Sequence, residues 1–325
     1  MVEPTVISTF AGCGGSSLGY KWAGFKELLA IKWEDNAVQT FKLNFPETPV
    51  WQRDICTVTG QEILDFCNIK RGELDVFDGS PPCQGFSTAG KRQVKDSRND
   101  LFKEYVRLVN DLQPKVFLME NVSGMVKGKM KGKFIEIMST LKGLNYEVKA
   151  KLMNSMYYEV PQSRQRMIFI GVRKDLNKIP SYPEPLKKVI TVREALKGLG
   201  NYEDRKLPKV LIEYGKLHPN NHWSTIPDLY KRVKGNQAGV MNLKWAQWDQ
   251  PSGTIPKSEI SLTGIVHPDK ERYFNESELK RIGSFPDDFQ FTDRKNACQR
   301  IGNAVMPKFM YHIAKHIKEN ILNGC

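Results

Sequence analysis

The chain has 325 residues, 40% of them hydrophobic and 26% charged, which suits a globular protein with a sizeable core and excludes wholesale disorder. Lysine and arginine outnumber aspartate and glutamate by 49 to 36, a formal net charge of +13, and such an excess favours a polyanionic partner, most simply nucleic acid. Cys13, Cys56, Cys67, Cys83, Cys298 and Cys325 are scattered without a C-x-x-C pair or a nearby histidine cluster, which argues against a zinc site and against a disulfide framework.

The chain opens on MVEPTVISTF, where Glu3 and the lack of a long apolar stretch speak against a signal peptide. No run approaches membrane-spanning length, so a reducing cytoplasm is the expected setting. Residues 5–10 (TVISTF) read as a buried strand running into a glycine-rich turn at 11–15, and residues 16–24 carry helical spacing. Residues 28–33 read as a second strand, and residues 74–78 (LDVFD) as another that ends at Gly79-Ser80-Pro81-Pro82. Leu101, Tyr105, Leu108 and Leu112 share one helical face, stopped by Pro114, and strands follow at 116–119 and 166–172. Strands alternating with helices predict an α/β fold with a mostly parallel sheet, helices on both faces and chemistry at the carboxyl ends of the strands. Pro180, Pro183 and Pro185 mark a boundary, after which residues 200–265 lose periodicity and suggest a loop-rich, partly β second domain. Phe309, Ile313, Ile317 and Ile321 then line one face of a terminal helix after Pro307.

Four motifs have chemical content. Phe10-Ala11-Gly12-Cys13-Gly14-Gly15 places glycines between the first strand and the first helix, where backbone can approach a ligand or simply pack closely. Its form is neither the dinucleotide fingerprint nor a phosphate loop. Gly79-Ser80-Pro81-Pro82-Cys83-Gln84-Gly85-Phe86-Ser87 stiffens the chain just before a cysteine. That thiol either fills core space or attacks a substrate; the polar setting and the basic segment after it (Lys91, Arg92, Lys95, Arg98) favour attack. Glu120, in Met119-Glu120-Asn121-Val122, either caps the following turn or, desolvated with a raised pKa, donates a proton. Arg164 and Arg166, in Gln162-Ser163-Arg164-Gln165-Arg166, alternate before an apolar strand, so both would face one side to meet phosphate or a carbonyl oxygen, or would stay solvated.

In order and spacing these motifs resemble the cytosine-5 DNA methyltransferases of bacterial and phage modification systems. FAGCGG resembles that family's cofactor motif, SPPCQGFS its nucleophile motif, ENV its acid motif, QSRQR its arginine motif and Arg300-Ile301-Gly302-Asn303-Ala304-Val305 its closing motif. Lesser matches fall at Asp54-Ile55, 96–101, 192–196, His267-Pro268 and 285–289, so the resemblance spans the chain except near 200–265.

The resemblance implies a Rossmann-like sheet that binds S-adenosylmethionine, with a second, smaller target-recognition domain. Residues 1–182 would be catalytic and cofactor-binding, 183–292 would recognise the target, and 293–325 would return to the first domain. It implies Cys83 as nucleophile toward C6 of a flipped-out cytosine, Glu120 at N3 and the exocyclic amine, Arg166 at O2, and Arg164 steadying phosphate or the loop. Phe10, Gly12, Cys13, Gly14, Gly15, Trp33, Glu34, Asp54, Ile55, Ser80, Pro82, Leu101, Asn303, Ala304 and Val305 would bind the methyl donor. Gln84, Ser87, Arg98, Arg232, Lys234, Thr254 and Lys257 would meet double-stranded DNA. S-adenosylhomocysteine would be the product, with no metal, and the protein would act as a monomer, alone or beside a restriction endonuclease. The family's ribose-binding acid falls on Lys32, with Glu34 the nearest acid, so the ribose contact departs from the pattern. A transfer-RNA cytosine-5 methyltransferase would use the same motifs, but its Cys-Phe-Thr signature is missing. An inactive DNA-binding relative is opposed by the presence of Cys83, Glu120 and Arg166, and an amino-group methyltransferase by the lack of an Asp/Asn-Pro-Pro-aromatic motif.

Overall fold

Strands that are apolar on both faces belong inside a sheet covered twice, and β1 (Thr5–Thr9) is such a strand, with Val6 and Ile7 fully buried. The computed structural model describes residues 3–82, 100–126, 131–200, 206–207, 209, 212–213, 243–257, 264–269 and 271–323. They form two units, one of Met1–Asn154, Gln165–Pro185 and Pro307–Cys325, the other of Ser155–Arg164 and Leu186–Met306.

The first unit holds β1, α1 (Gly15–Trp22), β2 (Lys26–Ile31), α2 (Asp35–Asn44), β3 (Val50–Trp51), α3 (Gly60–Cys67), β4 (Val76–Gly79), α4 (Asp100–Leu112), β5 (Val116–Val122), α5 (Lys131–Lys142), β6 (Tyr146–Asn154) and β7 (Gln165–Arg173). Its sheet runs β3-β2-β1-β4-β5-β7-β6. The first five strands in that order are parallel, and β7 is antiparallel to both neighbours. The expected α/β architecture is therefore present, but β6 and the antiparallel insertion of β7 were not read from the sequence. β6 alternates buried and exposed positions and carries Glu147, Lys149 and Lys151 on an edge, a pattern that protects an edge from foreign pairing.

One face of the sheet presents Ile7, Leu29, Phe77 and Phe117 to Ile63 of α3 and to Tyr105, Leu108 and Leu112 of α4, the apolar face anticipated for that helix. Register puts Ser8, Ala30 and Asp78 on the opposite face, which α1 covers. The chain's last apolar helix, α9 (Pro307–His316 in this unit), packs on α1 at backbone range: a Cβ at Gly19 would lie 2.6 Å from Cβ of Met310.

The second unit contains α6 (Val192–Leu196), β8 (Leu243–Trp245), β9 (Gly264–Val266), α7 (Glu276–Ile282) and α8 (Arg294–Asn303), with β8 and β9 parallel. Asn275 and Glu278 close a reciprocal cap at the start of α7. Glu278, 4% exposed, also takes two 2.8 Å bonds from Arg272, while His267 reaches Asp269 at 2.8 Å between the rings of Trp248 and Phe274. Burial pushes the Glu278 carboxyl up, but bonds from Arg272, His267 and the Asn275 backbone outweigh it and hold it at about 2. A carboxyl depressed in the native state stabilises above its unfolded value and loses that contribution as the pH falls through its native value. Glu278→Gln is therefore expected to lower unfolding free energy by about 3 kcal/mol at neutral pH and by progressively less below about pH 4. Urea titrations across that range check this, and a pH-independent loss would contradict it.

Candidate active site

The glycine turn is built on left-handed backbone. Phe10, Gly12 and Gly14 have φ of 56°, 60° and 94°, and Ala11 N–H ties the turn to the Ile31 carbonyl at the end of β2. The two glycines differ in what surrounds them. A Cβ on Gly14 would meet the Phe45 ring at 2.3 Å, so that glycine serves packing, whereas a Cβ on Gly12 would meet nothing within 4 Å, leaving its backbone open to a ligand. Gly15 opens α1, and Cys13 is 1% exposed, turned inward. At the end of β2, Lys32 pairs with Glu34 at 3.6 Å, and between them Trp33 is 67% exposed, its indole offered to solvent. Asp54 is half-buried and accepts the Cys56 amide, while Ile55 lies in the apolar core with its carbonyl held by Arg107. Leu101 packs against the same core from α4.

At the carboxyl edge of β4 and β5, Ser80 and Pro82 are half-buried and Pro81 is buried. Asn121 Nδ2 donates to the Pro81 carbonyl at 3.3 Å, so the acid strand grips the chain two residues ahead of position 83. Glu120 is 9% exposed, and the Arg166 Nε atom stands 2.6 Å from its Oε1. Antiparallel pairing of Val122 with Arg166 brings this first turn of β7 to that edge. Burial lowers the Arg166 pKa while Glu120 raises it, and the net movement is downward. The expected desolvated acid is thus supplied with a buried counter-charge that fixes the direction of its carboxyl group.

Arg164 does not share that side. It is 3% exposed and donates to the main-chain carbonyls of Gly302 at 2.8 Å and Ile255 at 3.3 Å, within the second unit. Its guanidinium braces backbone instead of standing toward phosphate, which corrects the reading of two arginines aimed together. The same unit explains the closing motif's glycine: a Cβ on Gly302 would lie 2.3 Å from the Pro256 carbonyl oxygen. Gln162, fully buried, accepts the Ile255 amide, and Thr254 Oγ1 donates to the Ser163 carbonyl. Asn303 is exposed at the end of α8, Ala304 and Val305 are buried, and Lys257 is exposed. Cys83, Gln84, Ser87, Arg98, Arg232 and Lys234 lie outside the described residues.

Sequence reasoning missed Asn121 and Phe45. The first sits inside a quoted motif, but its partner is a carbonyl 40 positions back; the second becomes important only because Gly14 has no side chain. Among the described residues no helix is long and apolar enough to cross a membrane, and no group of acidic, histidine and cysteine side chains could hold a metal ion.

The C-5 cytosine-specific DNA methylase profile matches residues 4–319. Over 96% of this chain and 86% of its own length, the Type II methyltransferase M1.HphI of Haemophilus parahaemolyticus is 34% identical. M.XorII of Xanthomonas oryzae pv. oryzae, also a Type II methyltransferase, is 38% identical over 94% of this chain and 82% of its own. Among solved structures, an E. coli prophage protein named as a DNA modification methyltransferase superposes with TM-score 0.76 at 26% identity, covering 98% of this chain and 100% of that one. Spodoptera frugiperda DNMT2 superposes at 0.69 with 20% identity, covering 97% and 99%, which shows a shared fold.

The two turn glycines should separate on substitution. Gly14→Ala is expected to cost about 2–4 kcal/mol, from overpacking against Phe45 and a left-handed backbone. Gly12→Ala should cost about 1 kcal/mol, from the backbone alone. Denaturant unfolding of both checks this, and equal losses would show that Gly12 is also a packing position.

Proposed function

This chain belongs to the C-5 cytosine-specific DNA methylases and is a DNA cytosine methyltransferase, and on that premise we propose that it methylates C5 of one cytosine in a specific double-stranded sequence through a covalent Cys83–C6 bond. The observation that carries this reading is the Glu120–Arg166 pair, set on the strand edge where Asn121 anchors Pro81, just ahead of the thiol.

Cytosine C5 is a weak nucleophile, and the residues answer that weakness. The Cys83 thiolate adds to C6, the C5–C6 π electrons move onto C5, and C5 takes up the methyl group. Loss of the C5 proton to water then re-forms the C5–C6 double bond, expels the thiolate with the C–S bonding pair and restores the aromatic ring. Glu120 hydrogen-bonds N3 and the exocyclic amine, stabilising charge that develops there, while Arg166 orients Glu120 and donates to O2. A stacked base is unreachable for this chemistry, so the cytosine is flipped out. The net charge of +13 supports phosphate-dominated binding to the duplex.

S-adenosylmethionine, when bound, supplies an electrophilic methyl on a positively charged sulfur. The residues present fit it: open backbone at Gly12 for its methionine part and the exposed Trp33 indole for adenine. Glu34, tied to Lys32, is the acceptor for the ribose hydroxyls. The second unit reads the target, with exposed Lys257 toward DNA and Arg164 as an internal brace. The setting is the cytoplasm of a bacterial or phage-infected cell, as a monomeric modification enzyme with or without a partnering endonuclease.

Incubation with defined duplexes followed by bisulfite sequencing should reveal one protected cytosine per site, and Cys83→Ala should abolish it. DNA carrying 5-fluorocytosine should trap the wild-type protein covalently at Cys83; an adduct at another cysteine would overturn the assignment. For the ribose contact, Glu34→Gln should weaken donor binding about tenfold, while Lys32→Glu should change it by less than about threefold. Tightening of tenfold or more in Lys32→Glu, measured by calorimetry, would show instead that the lysine impairs binding.

A further inference from the structure

Beneath the glycine turn lies a largely buried polar cluster that methyl transfer does not use. Register sets Ser8 of β1 beside Asp78 of β4. A bulge at Leu28, between the Val6–Glu27 and Ile7–Leu29 pairs, lets Glu27 of β2 join them on the face covered by α1, although Leu29 points into the opposite core. From α1, Ser17 Oγ donates to Glu27 Oε1 at 3.0 Å and Ser16 bonds the Asp78 carboxyl.

Ser8, Tyr20 and Asp78 are 0%, 0% and 2% exposed; Ser8 bonds the Glu27 carboxyl and Tyr20 that of Asp78, yet Asp78 Oδ1 has no hydrogen-bond partner. A buried carboxyl oxygen left this way is rare and calls for an explanation. The charged and titratable groups acting on Asp78 are Glu27 from β2, Glu120 from β5, Tyr20 from α1 and Tyr105 from α4, and Glu120's cation, Arg166, is engaged by it. Burial, then repulsion by Glu27 and Glu120, pushes the Asp78 carboxyl well above the usual range, and burial pushes Glu27 up to about 7 against bonds from serines. Burial beside a second acid favours the protonated form of Asp78, and a positive charge nearby would favour release of its proton.

Asp78 is next to Gly79 at the carboxyl end of β4, where β1 passes into Phe10 and the open backbone of Gly12. We propose that Asp78, backed by Glu27, senses the charge of the methyl donor: a sulfonium on the glycine turn expels the Asp78 proton to solvent, and the uncharged thioether product lets it return. The inference rests on S-adenosylmethionine as donor. It gives the site a means to favour donor over product, because only the donor's charge is compensated by the carboxylate. Donor affinity then rises with pH, by up to about tenfold per unit, while free protein keeps the proton that the complex has lost. Product affinity stays level.

Calorimetric titration near neutral pH, in buffers of different ionisation enthalpy, counts the protons released on binding. Wild-type protein should release a measurable fraction of a proton with S-adenosylmethionine and none with S-adenosylhomocysteine. Asp78→Asn should remove the release and leave product affinity within about twofold. Glu27→Gln should move the pH at which donor affinity levels off downward, since a repelling neighbour is gone. Equal proton release with both ligands in the wild type, or unchanged release in Asp78→Asn, would overturn the proposal. The wild-type comparison decides even if a variant fails to fold. Absence of binding by either ligand would instead remove the donor assignment, and this inference with it.

Discussion

A carboxylate that ends a buried strand needs a cation held against it, and the Arg166 guanidinium, 2.6 Å from Glu120, meets that need. The sheet is arranged so that it can. β5 runs parallel to β4 and carries Glu120 to the edge where β1 and β4 also end, while β7 starts at that same edge because it runs the other way. A parallel strand in the place of β7 would bring its last residues there, and Arg166, its second residue, would lie at the far edge. The antiparallel insertion is thus the constraint on which the chemistry of the edge depends. Asn121 extends its reach by tying the Pro-Pro segment to the same strand end.

Two arginines separated by one residue illustrate how strongly position outweighs residue type. Arg166 lies inside a strand and faces a carboxylate; Arg164 lies before it and gives its donors to carbonyls of Ile255 and Gly302. Both are paired because a guanidinium without partners is too costly to bury, but the partners differ in charge and so in consequence. An ion pair at the edge of the sheet can be opened toward an incoming base. A brace on backbone carbonyls fixes the path of the chain. The Gly302 position shows the same close approach from the other side, since Pro256 leaves no room for a Cβ.

The glycine turn and the acids beneath it extend this logic to burial. Gly12 leaves backbone bare, Gly14 accommodates Phe45, and Ser8 and Asp78 lie buried under α1 with Glu27 half-buried beside them. Two neighbouring acids on a buried face, one with an unpartnered oxygen, run against ordinary packing, and exceptions of that kind gather where a protein does chemistry. Lys32 is a second local exception, an ammonium paired with Glu34 where an acid is the expected residue.

By itself, the sequence determined the α/β class, the buried face of α4 and the apolar terminal helix, because apolar periodicity and the placement of glycine and proline are local properties. It also determined the family, through ordered motifs whose residue types are set by the reaction. Only the tertiary structure decided that β7 runs backward between β5 and β6, that Arg164 and Arg166 part company, and that a bulge turns Glu27 toward Asp78. Each of these depends on strand register or on a partner dozens of residues away. The energy that selects among them comes from burying charge beside its complement, which no local pattern encodes.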